Sequence, residues 1–324
     1  MLSKASLWQA TWLLGGRGLF NLPLILPITS IFGEIIMRFL QTLSCLAPVF
    51  LLATSVGALE PVWQITEGLD HPESAYIDPV SGHLFLSQVI GSGQEKDGKG
   101  VISKLTVDGK MLDADWITGL NAPKGLRSHG NRLWVSDLDR IVGVDIKQGK
   151  IAEVVEVPGA KFLNDLATGP DGAVYVADMI GSKVYRYKDK KLSVFIEGKE
   201  IESPNGLLVH DGKLVVGAWG YTTDFTTETP GRLYSVDLKS KKKTLITPKP
   251  TGNLDGVEVD GKGGYVVTDW PAGKVLAISG KGEVNVLMTL PKGAADHAYI
   301  PSKQLLILPQ MLENKLTAFD LSKQ

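Results

Sequence analysis

Short segments in which apolar and polar residues alternate recur along the chain from about residue 60 to the C terminus. Examples are "LFLSQ", "LWVSD", "VYVAD", "LVVGA" and "YVVTD". Such alternation is typical of β-strands that bury one face. Turn dipeptides such as Asp-Gly separate the segments, and no convincing amphipathic helix follows residue 58. The pattern therefore predicts an all-β fold.

The alternating segments belong to a unit that occurs six times. The related stretches are "HPESAYID", "APKGLRSH", "FLNDLATG", "SPNGLLVH", "NLDGVEVD" and "AADHAYIP", whose third residues are separated by 51, 40, 41, 50 and 41 positions. Four short strands in every 40 to 50 residues are the pattern of a β-propeller with one blade per repeat. The last repeat has only three strands, and Val62–Thr66 would supply the fourth. We therefore predict a six-bladed β-propeller of four-stranded blades, closed by its N-terminal strand, which leaves no exposed sheet edge.

The third residues of the repeats carry most of the candidate chemistry. Because the first strand of each propeller blade lines the central channel, their side chains should form a ring at one mouth of it; they are Glu73, Lys124, Asn164, Asn205, Asp255 and Asp296. Carboxylate and amide oxygens that converge on one point suit a hard divalent cation, above all Ca²⁺, with Mg²⁺, Mn²⁺ and Zn²⁺ as alternatives. No His or Cys stands at the six positions, which argues against a dedicated zinc site.

A purely structural interpretation of the same residues is that the Asn-Gly and Asp-Gly dipeptides are loop corners. The shared register across blades favours the cation site instead. Lys124 cannot be a ligand while it is charged, so it would pair with Asp296 or meet an anionic substrate. Asp165 and His297 follow two of the ring positions, where three other blades have Gly. We expect Asp165 to face the substrate, and His297 to be a hydrogen-bonded wall residue rather than a proton shuttle.

Polar residues also end the second strands on the same side of the ring: Gln88, Asp137, Asp178, Asp269 and Gln310. They are either supports for the ring or caps of the loops. Trp219 and Trp270 end two of these strands, where packing between blades is favoured over stacking on a ligand. The longer loop of the fourth blade, with Tyr221, Asp224 and Phe225, would form a rim.

Charge and composition exclude several classes of partner. The 324 residues carry a formal net charge of −1, so there is no bulk attraction to nucleic acid or to an anionic membrane. The sequence contains no P-loop, Rossmann fingerprint, HExxH or GxSxG motif. The expected partner is a small-molecule substrate, and the protein is expected to be a monomer.

The N-terminal region has the pattern of a secretory signal peptide. Residues 37–58 contain Arg38, then an apolar stretch, then small residues that suit cleavage after Ala58. Residues 1–36 are apolar but interrupted, and translation from Met37 is favoured over a longer leader or a membrane anchor. Cys45, the only cysteine, lacks the preceding Leu of a lipidation site. The expectation is a cysteine-free propeller of residues 59–324 without a membrane span, located in the periplasm or secreted.

The chain from about Pro61 onward resembles the family of gluconolactonase, regucalcin and luciferin-regenerating enzyme. The resemblance rests on "PES" with Glu73, on "ND" followed by "PDGAVYVAD", on "SPNG" and on "LDGVEVD". It implies that Glu73, Asn205 and Asp255 bind a divalent cation directly. It also implies that Asn164 lies close to the ion and contacts the substrate, with Asp165 beside it.

The resemblance implies a metal-dependent hydrolase that opens a lactone or related ester, possibly derived from a sugar. The cation would polarise the carbonyl, and Asp255 would activate water as the general base. Lys124, Asp296 and His297 would complete the substrate-binding wall. Two alternatives stay open: a non-enzymatic propeller that binds a ligand or protein around a structural metal, and a hydrolytic propeller that needs no metal, similar to strictosidine synthase.

Overall fold

The protein is seen here in a computed structural model that describes residues 59–323. The predicted signal peptide, Cys45 and the preceding 36 residues lie outside the described part. Regular structure between residues 59 and 323 consists of 24 β-strands, beginning with β1 (Pro61–Ile65), and four 3₁₀ turns: Lys199–Ile201, Pro301–Lys303, Met311–Glu313 and Leu321–Lys323. The all-β prediction is confirmed. Within the described residues, none of the helical turns is long and apolar enough to cross a membrane.

The strands form six four-stranded antiparallel sheets, which are the blades of a propeller. Blade one contains β2 (Pro72–Ile77), β3 (Leu84–Gln88), β4 (Gly100–Leu105) and β5 (Met111–Leu120). Blade two contains β6 (Pro123–His129), β7 (Arg132–Asp137), β8 (Arg140–Asp145) and β9 (Lys150–Glu156). Blade three contains β10 (Leu163–Thr168), β11 (Val174–Asp178), β12 (Lys183–Lys188) and β13 (Lys191–Glu197).

The second half of the ring repeats this order. Blade four contains β14 (Pro204–His210), β15 (Lys213–Ala218), β16 (Leu233–Asp237) and β17 (Lys243–Leu245). Blade five contains β18 (Leu254–Val259), β19 (Tyr265–Asp269), β20 (Lys274–Ile278) and β21 (Val284–Thr289). Blade six contains β22 (Ala298–Ile300), β23 (Leu305–Gln310), β24 (Lys315–Asp320) and, as its fourth strand, β1.

The first and last strands close the ring, as the sequence predicts. β1 pairs antiparallel with β24, with Trp63 opposite Ala318 and Ile65 opposite Leu316. The inner strands of blades one and six also meet, since the Ala75 amide donates a hydrogen bond to the Asp296 carbonyl at 3.2 Å. The closing strand spans Pro61–Ile65, one residue earlier than predicted. Closure gives blade six its fourth strand and pairs the outer edge of β24.

The hydrophobic core lies between neighbouring blades. Leu126, Leu133 and Val142 of blade two, for example, pack against Phe85 and Ile102 of blade one, and all five are fully buried. A buried Leu or Val side chain stabilises the folded state by roughly 1.5–3 kcal/mol relative to exposure. This packing fixes each blade against the next and thereby positions the inner strands around the channel.

Candidate active site

A β-bulge lies at the start of each inner strand in blades one to five. In blade three, Leu163 pairs with Asp178 and Leu166 pairs with Val176. An advance of three residues along β10 therefore corresponds to an advance of two residues along β11. The extra residue falls at Asn164 and Asp165. Bulges interrupt strand pairing and redirect side chains, often beside functional sites. Asn164 and Asp165 can therefore lie near the start of β10 while the rest of the strand keeps its pairing with β11.

The same irregularity occurs at the corresponding positions of the other blades. The register shifts lie between the following pairs of residues: Pro72 and Ala75 in blade one, Pro123 and Leu126 in blade two, Pro204 and Gly206 in blade four, and Leu254 and Val257 in blade five. Each interval contains one ring residue. The bulge is thus a repeated device that carries the ring side chains.

Several of the polar residues that end the second strands cap the loops that lead into the ring. Asp137 accepts hydrogen bonds from the amides of Asn121 and Ala122, both at 2.8 Å. Asp178 accepts one from the Phe162 amide at 2.9 Å. In blade one, the Gln88 side chain accepts from the Asp70 amide at 2.8 Å. For these three residues loop capping is the role seen, and it fixes the segment just before Lys124, Asn164 and Glu73 respectively. Gln310 differs, since its side chain bonds those of Glu313 and Thr317.

Four of the ring residues line a cavity of about 420 Å³ at one mouth of the channel: Glu73, Lys124, Asn164 and Asp255. Asn205 is fully buried next to them. Its amide nitrogen donates hydrogen bonds of 3.0 Å to Asp255 Oδ1 and to the Leu254 carbonyl oxygen. The structure therefore brings together the four residues that the sequence predicts as cation ligands, which we call the ring site: Glu73, Asn164, Asn205 and Asp255.

Two oxygens of the ring site have no hydrogen-bond partner among the described residues. They are Glu73 Oε2 and Asn205 Oδ1, and both are shielded from solvent. A buried polar atom without a partner costs roughly 1–3 kcal/mol. No group of three or more His, Cys, Asp or Glu between residues 59 and 323 has an arrangement that could hold a metal. The ring site instead offers two carboxylates and two amides, a donor set that fits a hard divalent cation.

Burial dominates the electrostatics of the ring site. It raises the pKa of Glu73 well above its usual range, and the charge of Asp255 adds to this effect. It also raises the pKa of Asp255, with Asp296 as the next cause, while the hydrogen bond from Asn205 opposes the shift. Withdrawal from water disfavours the charged form of a carboxyl group. Charged carboxylates here need compensation by a cation.

Lys124 is the nearest internal cation, but its ammonium group is held elsewhere. Its Nζ donates to the carbonyl oxygens of Ala122 at 2.9 Å and Gly93 at 3.3 Å, and lies 4.5 Å from the centre of the Phe162 ring. Burial lowers the pKa of Lys124 to about 8, and the charge of Glu73 opposes this shift. The ion pair between Lys124 and Asp296, one of two predicted roles, is not seen: Asp296 pairs with Arg127.

Asp165 is buried in the channel wall and does not line the cavity. Its two oxygens accept hydrogen bonds of 2.6 Å from the backbone amides of Leu166 and Leu207, so it ties blade three to blade four. A Cβ atom on Gly125 would lie 2.3 Å from Asp165 Oδ1. Glycine in the neighbouring blade therefore leaves room for this carboxylate. A substrate contact of Asp165 stays a prediction.

Asp296 and His297 lie in the channel wall of blade six and likewise do not line the cavity. Asp296 Oδ2 accepts a hydrogen bond from the Ser74 hydroxyl. His297 is fully buried, and burial lowers its pKa to about 3, with the charge of Arg127 as the second cause. The imidazole is therefore neutral at ordinary pH, which disfavours proton shuttling. The hydrogen bond expected for this wall residue is not seen, since neither ring nitrogen has a partner among the described residues. Substrate contacts by these two residues stay predictions.

A second group of charges lies further along the channel, and sequence reasoning missed it. We call it the arginine cluster: Arg127, Glu258 and Asp296. Arg127 lies 3.0 Å from Glu258 Oε1 and 3.6 Å from Asp296 Oδ2. Arg127 and Glu258 stand three residues after ring positions Lys124 and Asp255. A comparison of the residues three positions after each ring residue could have revealed these two charged side chains in the sequence.

Apolar side chains form the wall of the cavity above the ring site. We call these residues the apolar wall: Phe162, Met179, Trp219, Phe225, Trp270 and Met311. Trp219 and Trp270 border the cavity with ring centres 6.3 Å apart, so the expectation that they only pack between blades is incomplete. Phe225 is a rim residue as predicted. Tyr221 and Asp224 border a separate cleft on the same loop.

The fold and the ring of oxygen donors define a propeller with its candidate site at one mouth of the channel. Residues 110–299, more than half of the chain, match the SMP-30/Gluconolactonase/LRE-like region. The chain belongs to this family, as its motifs predict. The match begins at residue 110, before the last strand of blade one, so Glu73 lies outside it. A search of curated proteins found no match.

Two solved structures illustrate the similarity of fold. A gluconolactonase from Xanthomonas campestris superposes with a TM-score of 0.57 at 17% identity, covering 78% of this chain and 86% of its own. A catalytically inactive virginiamycin B lyase from Staphylococcus aureus, solved with quinupristin, gives a TM-score of 0.55 at 14% identity, covering 81% and 98%. At these identities the likeness establishes the fold alone.

Proposed function

We propose that this protein is a divalent-metal-dependent hydrolase that opens a lactone or a related ester. The proposal depends on one observation above all: the buried Glu73 Oε2 and Asn205 Oδ1 lack partners beside Asp255, at the floor of a cavity large enough for a small molecule. Family membership supports the same activity. Ca²⁺ is the preferred cation because the donors are all hard oxygens.

The roles of the residues follow from their positions. Glu73, Asn205 and Asp255 would bind the cation directly, with Asn164 completing the set. A bound divalent ion supplies Lewis-acid polarisation of the carbonyl group. Asp255, at the cavity floor, would take a proton from the attacking water as general base. Asn205 orients the Asp255 carboxylate through its 3.0 Å hydrogen bond.

The test is an assay of Asp255→Asn with calcium against a panel of lactones and aryl esters. General acid–base catalysis contributes about 10²- to 10⁴-fold, so kcat should fall by roughly that factor. Asp211→Asn is the control, because that side chain is 84% exposed. Undiminished calcium-dependent turnover by Asp255→Asn would contradict the mechanism.

The same panel distinguishes the non-enzymatic alternative. Calcium binding measured by calorimetry, with no turnover of any lactone or ester, would identify a ligand-binding propeller with a structural cation. Turnover that survives chelation would identify a hydrolase that needs no metal.

A periplasmic or secreted location is proposed from the signal-peptide pattern of residues 37–58. Expression of the full chain followed by N-terminal sequencing of the exported protein tests it. The expected first residue is Leu59. Retention of the whole protein in the cytoplasm would contradict the proposal.

A further inference from the structure

We propose that the cavity takes lactones or esters with an aryl or alkyl substituent and discriminates against polyhydroxylated sugar lactones. The inference rests on the proposed hydrolysis and names the substrate class of the same site. It depends on the wall of the cavity rather than on the ring site, since the apolar wall contributes most of the large side chains around the space where a substituent would lie.

The apolar wall provides large contact surfaces but few hydrogen-bonding groups. It contains four aromatic residues and two methionines around a cavity of about 420 Å³. Phe162 and Phe225 pack edge to face, with ring centres 4.9 Å apart and planes at 85°. Aromatic pairs in this geometry contribute stability beyond burial alone and hold both rings in place. An aryl group can therefore bind without rearranging this part of the wall.

Several polar groups that border the cavity are engaged already, although Trp219 Nε1 has no hydrogen-bond partner among the described residues. The amide nitrogen of Asn253 donates to the Trp219 carbonyl at 2.6 Å and to Thr227 Oγ1 at 2.9 Å. Lys124 donates to two backbone carbonyls. Lys292 Nζ lies 5.0 Å from the centre of the Trp270 ring. A sugar lactone would bring several hydroxyl groups against this surface, and each one buried without a partner weakens binding.

The backbone of the blade-four loop is strained at Phe225, a residue of the apolar wall. Its φ of 71° lies in the left-handed region, which bulky residues rarely adopt. The preceding Asp224 stabilises the turn, because its Oδ1 accepts hydrogen bonds from the Thr226 amide at 3.1 Å and the Thr226 hydroxyl at 2.6 Å. Strained backbone persists where the surroundings over-determine it and often accompanies ligand contacts. Here it places an aromatic ring beside the cavity.

The first experiment compares kcat/KM for two five-membered lactones with equal numbers of non-hydrogen atoms. γ-Phenyl-γ-butyrolactone carries an aryl substituent, and galactono-1,4-lactone carries hydroxyl groups. Burial of the phenyl group predicts a preference on the order of 10- to 100-fold for the first. Equal or better turnover of the sugar lactone would overturn the inference while leaving the proposed hydrolysis intact.

A variant pair locates the preference in the wall. Phe225→Ala should lower the ratio of the two kcat/KM values by roughly 3- to 10-fold, since one aromatic contact is lost. Tyr221→Ala is the matched control, because Tyr221 is an aromatic residue of the same loop that borders another cleft. Thermal melting of both variants establishes that they fold. An unchanged ratio in folded Phe225→Ala would overturn the role of the wall.

A binding experiment separates this inference from catalysis. 5-Phenyl-2-pyrrolidinone, a lactam that resists hydrolysis, should change the tryptophan fluorescence because Trp219 and Trp270 border the cavity. The Trp219→Phe variant should reduce that change. Binding of the lactam without turnover of any lactone would contradict the proposed hydrolysis and support the apolar site. Absence of lactam binding, together with preferred turnover of the sugar lactone, would overturn the inference alone.

Discussion

The ring site and the arginine cluster lie in one channel and are both buried, but their charges are balanced differently. In the arginine cluster, a guanidinium group lies 3.0 Å from Glu258 and 3.6 Å from Asp296. In the ring site, the ammonium group of Lys124 donates to backbone carbonyls instead. Two ring-site oxygens consequently have no partner in the described part of the chain.

This difference indicates which acids serve the fold and which serve a ligand. Burial of a carboxylate is costly unless it is paired and hydrogen-bonded. The arginine cluster pairs its own opposite charges, although Asp296 Oδ1 also has no hydrogen-bond partner among the described residues. The ring site lacks such a pair, which is why we assign the external cation to it. The following predictions test this contrast, from the largest expected effect to the smallest.

Removal of the positive charge of Arg127 should give the largest loss of stability. Arg127→Met leaves buried acids without their partner, and breaking a buried ion pair typically costs about 3–5 kcal/mol of unfolding free energy. Urea denaturation measures the change. Arg186→Met is the control, because Arg186 forms a more exposed 3.4 Å pair with Asp171 that should contribute about 0–1 kcal/mol. Similar losses in the two variants would contradict the structural role of the arginine cluster.

The free energy of unfolding should depend on pH partly through the titration of Glu258. Burial raises its pKa from 4.5 to about 7, against the opposing charge of Arg127. A carboxyl group with a raised pKa in the folded state stabilises the fold below pH 4.5, and this contribution is lost as pH rises to about 7. The expected loss is about 3 kcal/mol at most.

The measurement is a series of urea titrations from pH 4.5 to 8, with and without Glu258→Gln. The substitution should flatten the fall in unfolding free energy across this window. An equally steep fall in the variant would assign the pH dependence to the other buried acids.

Calcium should stabilise the protein through the ring site. At a calcium concentration 100 times the Kd, the unfolding free energy rises by about 2.7 kcal/mol. The melting temperature should then rise by roughly 5–10 °C. The increment should shrink as pH falls, because protonation of Glu73 and Asp255 removes the negative charge that attracts the cation. Melting curves with EDTA, Ca²⁺, Mg²⁺, Mn²⁺ and Zn²⁺ test this, and no shift with any of them would contradict a cation site.

Two substitutions of a channel acid by its amide should change the free energy of unfolding in opposite directions. Asp165→Asn removes one of two acceptors for backbone amides and should destabilise the fold by roughly 1–3 kcal/mol. Glu73→Gln removes an unpaired buried charge and should stabilise the cation-free protein by about 1 kcal/mol while reducing the calcium effect. Urea titrations in EDTA provide both values. A common sign would mean that the two acids play the same role.

The fold was largely predictable because the repeat is visible in the residues. Each blade has its own alternating strands and turn residues, and the short sixth repeat pointed to Val62–Thr66 as the missing strand. The family was predictable from motifs around the ring positions. The grouping of Glu73, Asn164, Asn205 and Asp255 followed from the register that the repeats share.

The details of the channel were not predictable, because they depend on contacts between blades. Nothing local to Asp165 shows that its carboxylate accepts a hydrogen bond from the Leu207 amide of the next blade. The position of the Lys124 ammonium group depends on the Gly93 carbonyl of blade one's long loop. Four members of the apolar wall share one repeat position, directly after the second strand of their blades: Met179, Trp219, Trp270 and Met311. Phe225 lies in the long loop of blade four, and only the structure shows that its ring borders the same cavity.

The pairing of β1 with β24 affects the order in which the protein can assemble. The partners Trp63 and Ala318 lie at opposite ends of the described chain. Contacts between residues so distant in sequence carry a high entropic cost and form slowly. Blades one to five can assemble during synthesis, but blade six must wait for the last strand. The complete ring, and with it the settled geometry of the channel mouth, is therefore a product of the final folding step.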